Sequence, residues 1–234
     1  MTQPNGRSKS GRGPKSSKRD DFVYEALLLA VMEHRLPPGA RLPEASLAEA
    51  FSVSRTRIRT SLQRLQAAKI IVLRQNHGAS VAVPTVEETR EVFGARRVVE
   101  TGVTHFLVAR RDKQIIEVLR NLCRAEQEAQ RESNIPEIMR ISARFHVAMA
   151  EATGSAPIAD IVKIMVCRTS LFVPMPQQLC DSDDHSEIVQ AIEDGDSERG
   201  ITMMNEHLVH LEDAIKPASV DKGDLDLVKI LRAK

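Results

Sequence analysis

Apolar residues recur with a helical period along most of this chain. From Asp21 onward Phe22, Ala26, Leu29 and Ala30, joined by Val23 and Leu27, form one broad face that stops at Pro37-Pro38-Gly39. A second, short helix is predicted from about Glu44 to Phe51, with Leu47 and Ala48 facing inward. The turn Phe51-Ser52-Val53 leads to Ser54, whose hydroxyl suits an N-cap. The helix that follows, over about 55–68, carries Ile58, Leu62 and Leu65 at i, i+4 and i+7. Those three should be buried, which leaves Arg55, Thr56, Arg57 and Arg59 around the first turn and a half.

The period then changes. Ile70-Ile71-Val72-Leu73 and Ser80-Val81-Ala82-Val83 are β-branched runs on either side of Gln75-Asn76-His77-Gly78, and Pro84 stops the second. A two-stranded hairpin with a Gly/Asn turn is the expectation. Three helices and a hairpin make a winged helix-turn-helix, with its boundary near Thr85. Beyond it, helical spans are predicted at 86–110, 113–132, 135–152, 156–173, 183–194 and 196–215. Their breaks fall at Asp112, Ser133-Asn134, Thr153-Gly154-Ser155, Pro174-Met175-Pro176 and Gly195. Short, repeated breaks favour an antiparallel bundle. The predicted fold class is therefore mainly α: an N-terminal winged helix-turn-helix followed by an all-α antiparallel helical bundle.

Four segments result. Residues 1–20, rich in Ser, Gly, Lys and Arg, are expected to be a disordered basic tail. Residues 21–85 form the winged module, 86–216 the bundle, and 217–234 a C-terminal tail with a short helical pattern at 224–232. Charge divides along the same line. Residues 1–85 hold 14 Lys/Arg against 6 Asp/Glu, while the remainder is acidic, and the whole chain carries only +1. A basic module on an acidic body suits attachment to a polyanion through one end. No stretch approaches the ~20 apolar residues of a membrane span, and the N-terminus has no apolar signal region. Three irregularly spaced cysteines (Cys123, Cys167 and Cys180) fit a reduced, cytoplasmic protein.

The chemistry expected of the third helix follows from its shape. An α-helix fits the major groove of DNA and points its first residues at base edges. Arg55, Thr56, Arg57 and Arg59 stand there, and His77 and Gly78 stand where a wing tip meets the minor groove or backbone. Lys/Arg at a helix N-terminus opposes the macrodipole, so an external anion explains them better than solvent does.

The stretch Pro38-Gly39-Ala40-Arg41-Leu42-Pro43-Glu44 with Leu47-Ala48, then Val53-Ser54-Arg55-Thr56-Arg57-Ile58-Arg59 through Leu62 and Leu65, resembles the GntR family of bacterial regulators. Asn76-His77-Gly78-Ala79-Ser80-Val81 resembles that family's wing. The resemblance implies that Ser54, Arg55, Thr56, Arg59 and Gly78 contact operator DNA. Arg57 replaces a usual Pro, Ala45-Ser46 stand where an Arg often precedes the Leu-Ala pair, and Thr60-Ser61 replace Glu-Ala.

In the helical half His146, His185 and His207 fall on three different predicted helices. Converging in a bundle core, neutral imidazoles suit Zn, Ni, Fe or Mn; taken singly, a histidine is more often a surface or capping residue. Residues 86–213 resemble the FCD domain, the effector-binding half of the FadR-like GntR branch. The resemblance rests on Phe145-His146, His185-x-x-Ile188-x-x-Ala191-Ile192-x-x-Gly195-Asp196 and His207-Leu208. It implies a divalent metal held by one Asp and three His, a small carboxylate effector and a homodimer. Here the Asp position, one turn before His146, is Ser142. Arg168 and, below it, Arg96 (ahead of Glu100) resemble effector-holding arginines. His105, His210 and Cys167 read as structural. A regulator that senses a small organic acid, most simply a repressor, is the expected function. The alternative is a three-histidine metal-dependent hydrolase or lyase with water at an open coordination position. No general base, nucleophile motif or phosphate loop accompanies the histidines.

Overall fold

A computed structural model of the chain describes residues 15–74, 78–172, 183–215 and 225–232. The N-terminal module runs α1 (Lys15–Met32), β1 (Arg41–Leu42), α2 (Glu44–Phe51), α3 (Arg55–Ala67), β2 (Ile71–Arg74) and β3 (Gly78–Val81). The sheet order is β1-β3-β2, antiparallel throughout, with Arg41 opposite Ser80 and Ile71 opposite Val81. The two-residue β1 is an addition to the expected hairpin. It is too short to show alternation in sequence, and it is held by Gly39 N donating to Val81 O (3.1 Å) and Val81 N to Ala40 O (2.9 Å). The second hairpin strand starts two residues earlier than expected, at Gly78, whose φ of +73° is a conformation that favours glycine. The expectation for His77 falls on residues 75–77, which lie outside the described residues.

Local chemistry explains the helix-turn-helix. Ser52, in the left-handed region at φ 53°, ends α2, and Ser54 starts α3 by accepting from Arg57 N at 3.5 Å. Ile58, Leu62 and Leu65 are then buried together beneath α1. The first helix begins at Lys15, so the tail expected over 1–20 yields its last six residues to α1; residues 1–14 lie outside the described residues.

The bundle comprises α4 (Val86–Arg110), α5 (Lys113–Arg131), α6 (Ile135–Ala152), α7 (Ala156–Ser170), α8 (Asp184–Asp194) and α9 (Ser197–Asp213). Four starts are capped by side chains. Thr85 and Glu88 form a reciprocal capping box, Asp112 accepts from Gln114 N and Ile115 N, and Asn134 and Asp196 cap α6 and α9. The fold class is the one expected: mainly α, a winged helix-turn-helix followed by an all-α bundle.

Helix α4 packs along α9, α7 and α8, and α6 lies between α5 and α7. One apolar cluster centres on Phe93, Leu119, Phe145, Ile188, Met204 and Leu208. Phe145 is fully buried, and its ring stacks on that of His185 with centroids 4.2 Å apart. Phe145→Ala should therefore lower unfolding stability by about 3–5 kcal/mol, read from the denaturant midpoint. An unchanged midpoint would contradict this packing.

A second cluster runs from the winged module into α6 and α7. There Cys167 Sγ donates to Leu28 O (3.6 Å) and Lys163 pairs with Glu25. The short helical pattern expected at 224–232 forms a helix. Residues Leu227–Arg232 form α10, which packs on α2 with Leu227 buried, while Arg35 Nη1 donates to Ile230 O at 2.9 Å. Leu225, Leu227, Ile230 and Leu231 supply an apolar face too short to stand alone; the winged module's surface completes it.

Candidate functional site

The front of α3 is solvent-facing. Ser54, Arg55, Thr56 and Arg59 are exposed and Arg57 is half-buried, while Ile58 beneath them is sealed. No acid lies in the first turn of α3. Arg59 grips Glu44 of α2 through two parallel hydrogen bonds of 2.9 Å each. That grip holds the Glu44 carboxyl below the usual carboxylate range. Arg59 itself stays 65% exposed, so the pair braces the two helices of the motif without withdrawing the guanidinium from solvent. Gly78 opens β3 and is exposed.

The second locus lies inside the bundle. His146 comes from α6, His185 from α8 and His207 from α9, and all three are buried. Their ring centroids lie 4.6–5.2 Å apart, and one nitrogen from each falls within 4.8 Å of the others. Each Nδ1 has a carboxylate behind it: Glu100 at 2.6 Å for His146, Glu126 at 2.6 Å for His185, Asp184 at 3.1 Å for His207. The Glu100 contact is close but set off the direction of the ring N–H. A carboxylate at Nδ1 keeps the proton there and turns the Nε2 lone pair inward. His146 Nε2 and His207 Nε2 face each other at 3.2 Å, and buried His185 Nε2 has no hydrogen-bond partner. Burial pushes His146 down to about 4 against the pull of Glu100, and burial with the neighbouring His185 pushes His207 down to about 3. Both are neutral at physiological pH, as ligands must be. Two inward lone pairs at that separation repel one another unless a cation or proton lies between them.

Charge is distributed around the rings. Arg96 Nε donates to Glu100 Oε1 at 2.6 Å and its Nη1 to Thr169 Oγ1 at 3.0 Å, all three residues being buried. Burial alone would raise the Glu100 pKa; Arg96 and then His146 outweigh it and hold the carboxyl well below its ordinary value. A cavity of about 70 Å³ is lined by Arg96, Ser142, Thr169 and the three histidines. The structure thus brings Arg96 and half-buried Ser142 together with the histidines, but not Arg168, which lines a separate crevice between bundle and winged module. Glu126 and Asp184 were not singled out by sequence reasoning. The signal for Glu126 is its register: it continues the inward stripe of Ile116, Leu119 and Cys123 on α5, where an acid is out of place unless paired.

A winged helix-turn-helix joined to a helical bundle that encloses a small histidine-lined pocket defines a DNA-binding regulator with a built-in sensor. Residues 19–81 match the gntR family of bacterial regulatory proteins, and residues 91–210 match the FCD domain. The chain belongs to the GntR family, in its FCD-bearing branch. It is similar to an HTH-type transcriptional regulator encoded in an unstable DNA locus of Streptomyces ambofaciens, 26% identical over 92% of this chain and 89% of that one. It is also similar to the HTH-type regulator YdhC of Bacillus subtilis, 21% identical over 60% of this chain; that match spans 63% of YdhC's length. Among solved structures, Escherichia coli McbR/YncC shares the fold at TM-score 0.73 and 18% identity, over 82% of this chain and 94% of that one. The protein is a DNA-binding transcriptional regulator and not an enzyme, and the hydrolase or lyase alternative finds no support in these relatives. Among the described residues no helix is long and apolar enough to cross a membrane.

Proposed function

We propose that this regulator is a homodimer acting in the cytoplasm, a repressor released or retained by a small carboxylate that reaches a metal-bearing pocket. The winged module, residues 21–85, reads a palindromic operator through Ser54, Arg55, Thr56, Arg57 and Arg59, with His77 and Gly78 at the wing. The bundle, residues 86–216, does the sensing. The observation that carries the reading is the convergence of three buried imidazoles, each with a carboxylate beside its Nδ1.

The donor set fits a divalent Zn, Ni, Fe or Mn ion, held by His146, His185 and His207. Ser142 adds a hydroxyl where a carboxylate would have added a charge, so the protein leaves room for an anion to complete the shell. A bound divalent ion would supply a positive centre for the carboxylate of an effector. Arg96 keeps Glu100 ionised and adjoins the same cavity, and its fixed positive charge also favours an anionic ligand there. Effector binding would shift DNA affinity by the difference in its affinity for the two domain arrangements.

Support for a dimer lies on α4, whose outward face leaves Val98 77% and Phe106 41% exposed. Val98→Asp is expected to move the chain from dimer to monomer in light scattering, and an unchanged dimer would put the interface elsewhere. The regulator reading as a whole is tested by anisotropy titration of the protein on its own promoter region, with and without a panel of small organic acids. Binding to every sequence alike, at every salt concentration, would overturn it.

A further inference from the structure

A second cavity, of about 300 Å³, lies where the winged module meets the bundle, and the histidine pocket shares none of its lining residues. Its walls come from both halves of the chain. Lys69, in the turn after α3, and Arg168, near the end of α7, bring positive charge, while Ile71, Val83, Val92 and Leu171 make it apolar. Arg168 is half-buried, yet it has no hydrogen bond or ion pair among the described residues, and neither has exposed Lys69. The one acid on the lining, Glu88, is already committed: its Oε2 accepts from Thr85 N at 2.9 Å.

A half-buried guanidinium without a counter-charge loses hydration and gains nothing for it. A second cation on the facing domain compounds the deficit. What neutralises both is an anion. The apolar remainder of the lining suits a short hydrocarbon body, and the volume lies at the small end of ligand sites.

We propose that this crevice is an anion site separate from the histidine pocket. It takes a small organic anion whose carboxylate or phosphate head lies on Arg168 and Lys69 and whose short aliphatic body rests against the valine, isoleucine and leucine walls. Because Lys69 belongs to the DNA-reading module and Arg168 to the sensor, the ligand bridges the two. Occupancy then favours the domain arrangement in which the cations share it, giving the regulator a second input that does not pass through the imidazoles.

The test is calorimetric titration of the full-length protein with hexanoate and, separately, with inorganic phosphate. Saturable binding of either probe is expected, and which probe binds tells a carboxylate ligand from a phosphate one. Arg168→Gln should weaken that binding about ten- to hundredfold, the loss of a charge-assisted contact. Arg168→Lys, which keeps the charge, should recover part of it. In His207→Ala the component of binding that Arg168→Gln weakens should persist. Three results would overturn the proposal: neither probe binds, Arg168→Gln binds as the wild type does, or binding disappears in His207→Ala while surviving in Arg168→Gln. The last would put the anion among the histidines.

Discussion

Replacing Arg55 with alanine is expected to weaken operator binding about thirtyfold to twenty-thousandfold in the proposed dimer, at about one to three kcal/mol for each of two half-sites. Arg55 is the first residue of α3, exposed, with no acid in its turn and with the sealed row Ile58, Leu62, Leu65 behind it. Its charge sits at the positive end of the helix dipole, where only an external anion or a base-edge acceptor makes it favourable. Thr56→Ala should weaken binding less, since one hydroxyl contact is lost rather than a bidentate one. Arg59 differs because Glu44 already holds its fork. Glu44→Gln removes the competing charge and should raise non-specific affinity and steepen its salt dependence, as expected when one more cation becomes available to phosphate. The measurement is anisotropy on the promoter fragment over a range of salt. Should Arg55→Ala bind with wild-type affinity and salt slope, the reading face is not the front of α3.

Most of the architecture was legible because it rests on local signals. The caps at Ser54, Thr85, Asp112 and Asn134 are short-range hydrogen bonds, and the inward stripes of α3 and α5 are simple periodicity; both are written in adjacent residues. The strand Arg41–Leu42 was not legible, because two residues carry no alternation and its pairing with Ser80 and Ala79 is a long-range choice. The docking of α10 was hidden for the same reason. At the pocket, the three histidines could be named, but their carboxylates could not all be paired with them. Glu126 reaches His185 from 59 positions away, and no spacing rule joins them. Arg168 shows the opposite failure. Its neighbours in sequence are both buried, Cys167 against α1 and Thr169 on the histidine cavity, while one helical step turns Arg168 to the separate crevice. A motif places a residue on a helix, and the helix's rotation decides which cavity it serves.

Removing one imidazole from the pocket yields the other large effect. The wild-type protein is expected to keep a divalent metal through dialysis and His207→Ala to lose it, as measured by elemental analysis after loading with Zn, Ni, Fe or Mn in turn. Losing one of three donors leaves His146 and His185, too few to compensate an ion for its lost water in a buried site. Metal binding also reports through stability. Because ligation requires the folded bundle, a metal at one hundred times its Kd adds about 2.7 kcal/mol to unfolding. A chelator should lower the melting temperature of the wild type and leave that of His207→Ala where it was. Glu126→Gln makes the finer distinction. Its amide oxygen can still accept from His185 Nδ1, so the tautomer survives while the charge is lost, and metal affinity should fall about ten- to hundredfold rather than vanish. A merely structural role for Glu126 would instead lower stability equally with and without metal. If no metal of the four is retained and chelator changes nothing, the three histidines hold no metal, and Arg96 is the positive charge left on that cavity to draw an anion.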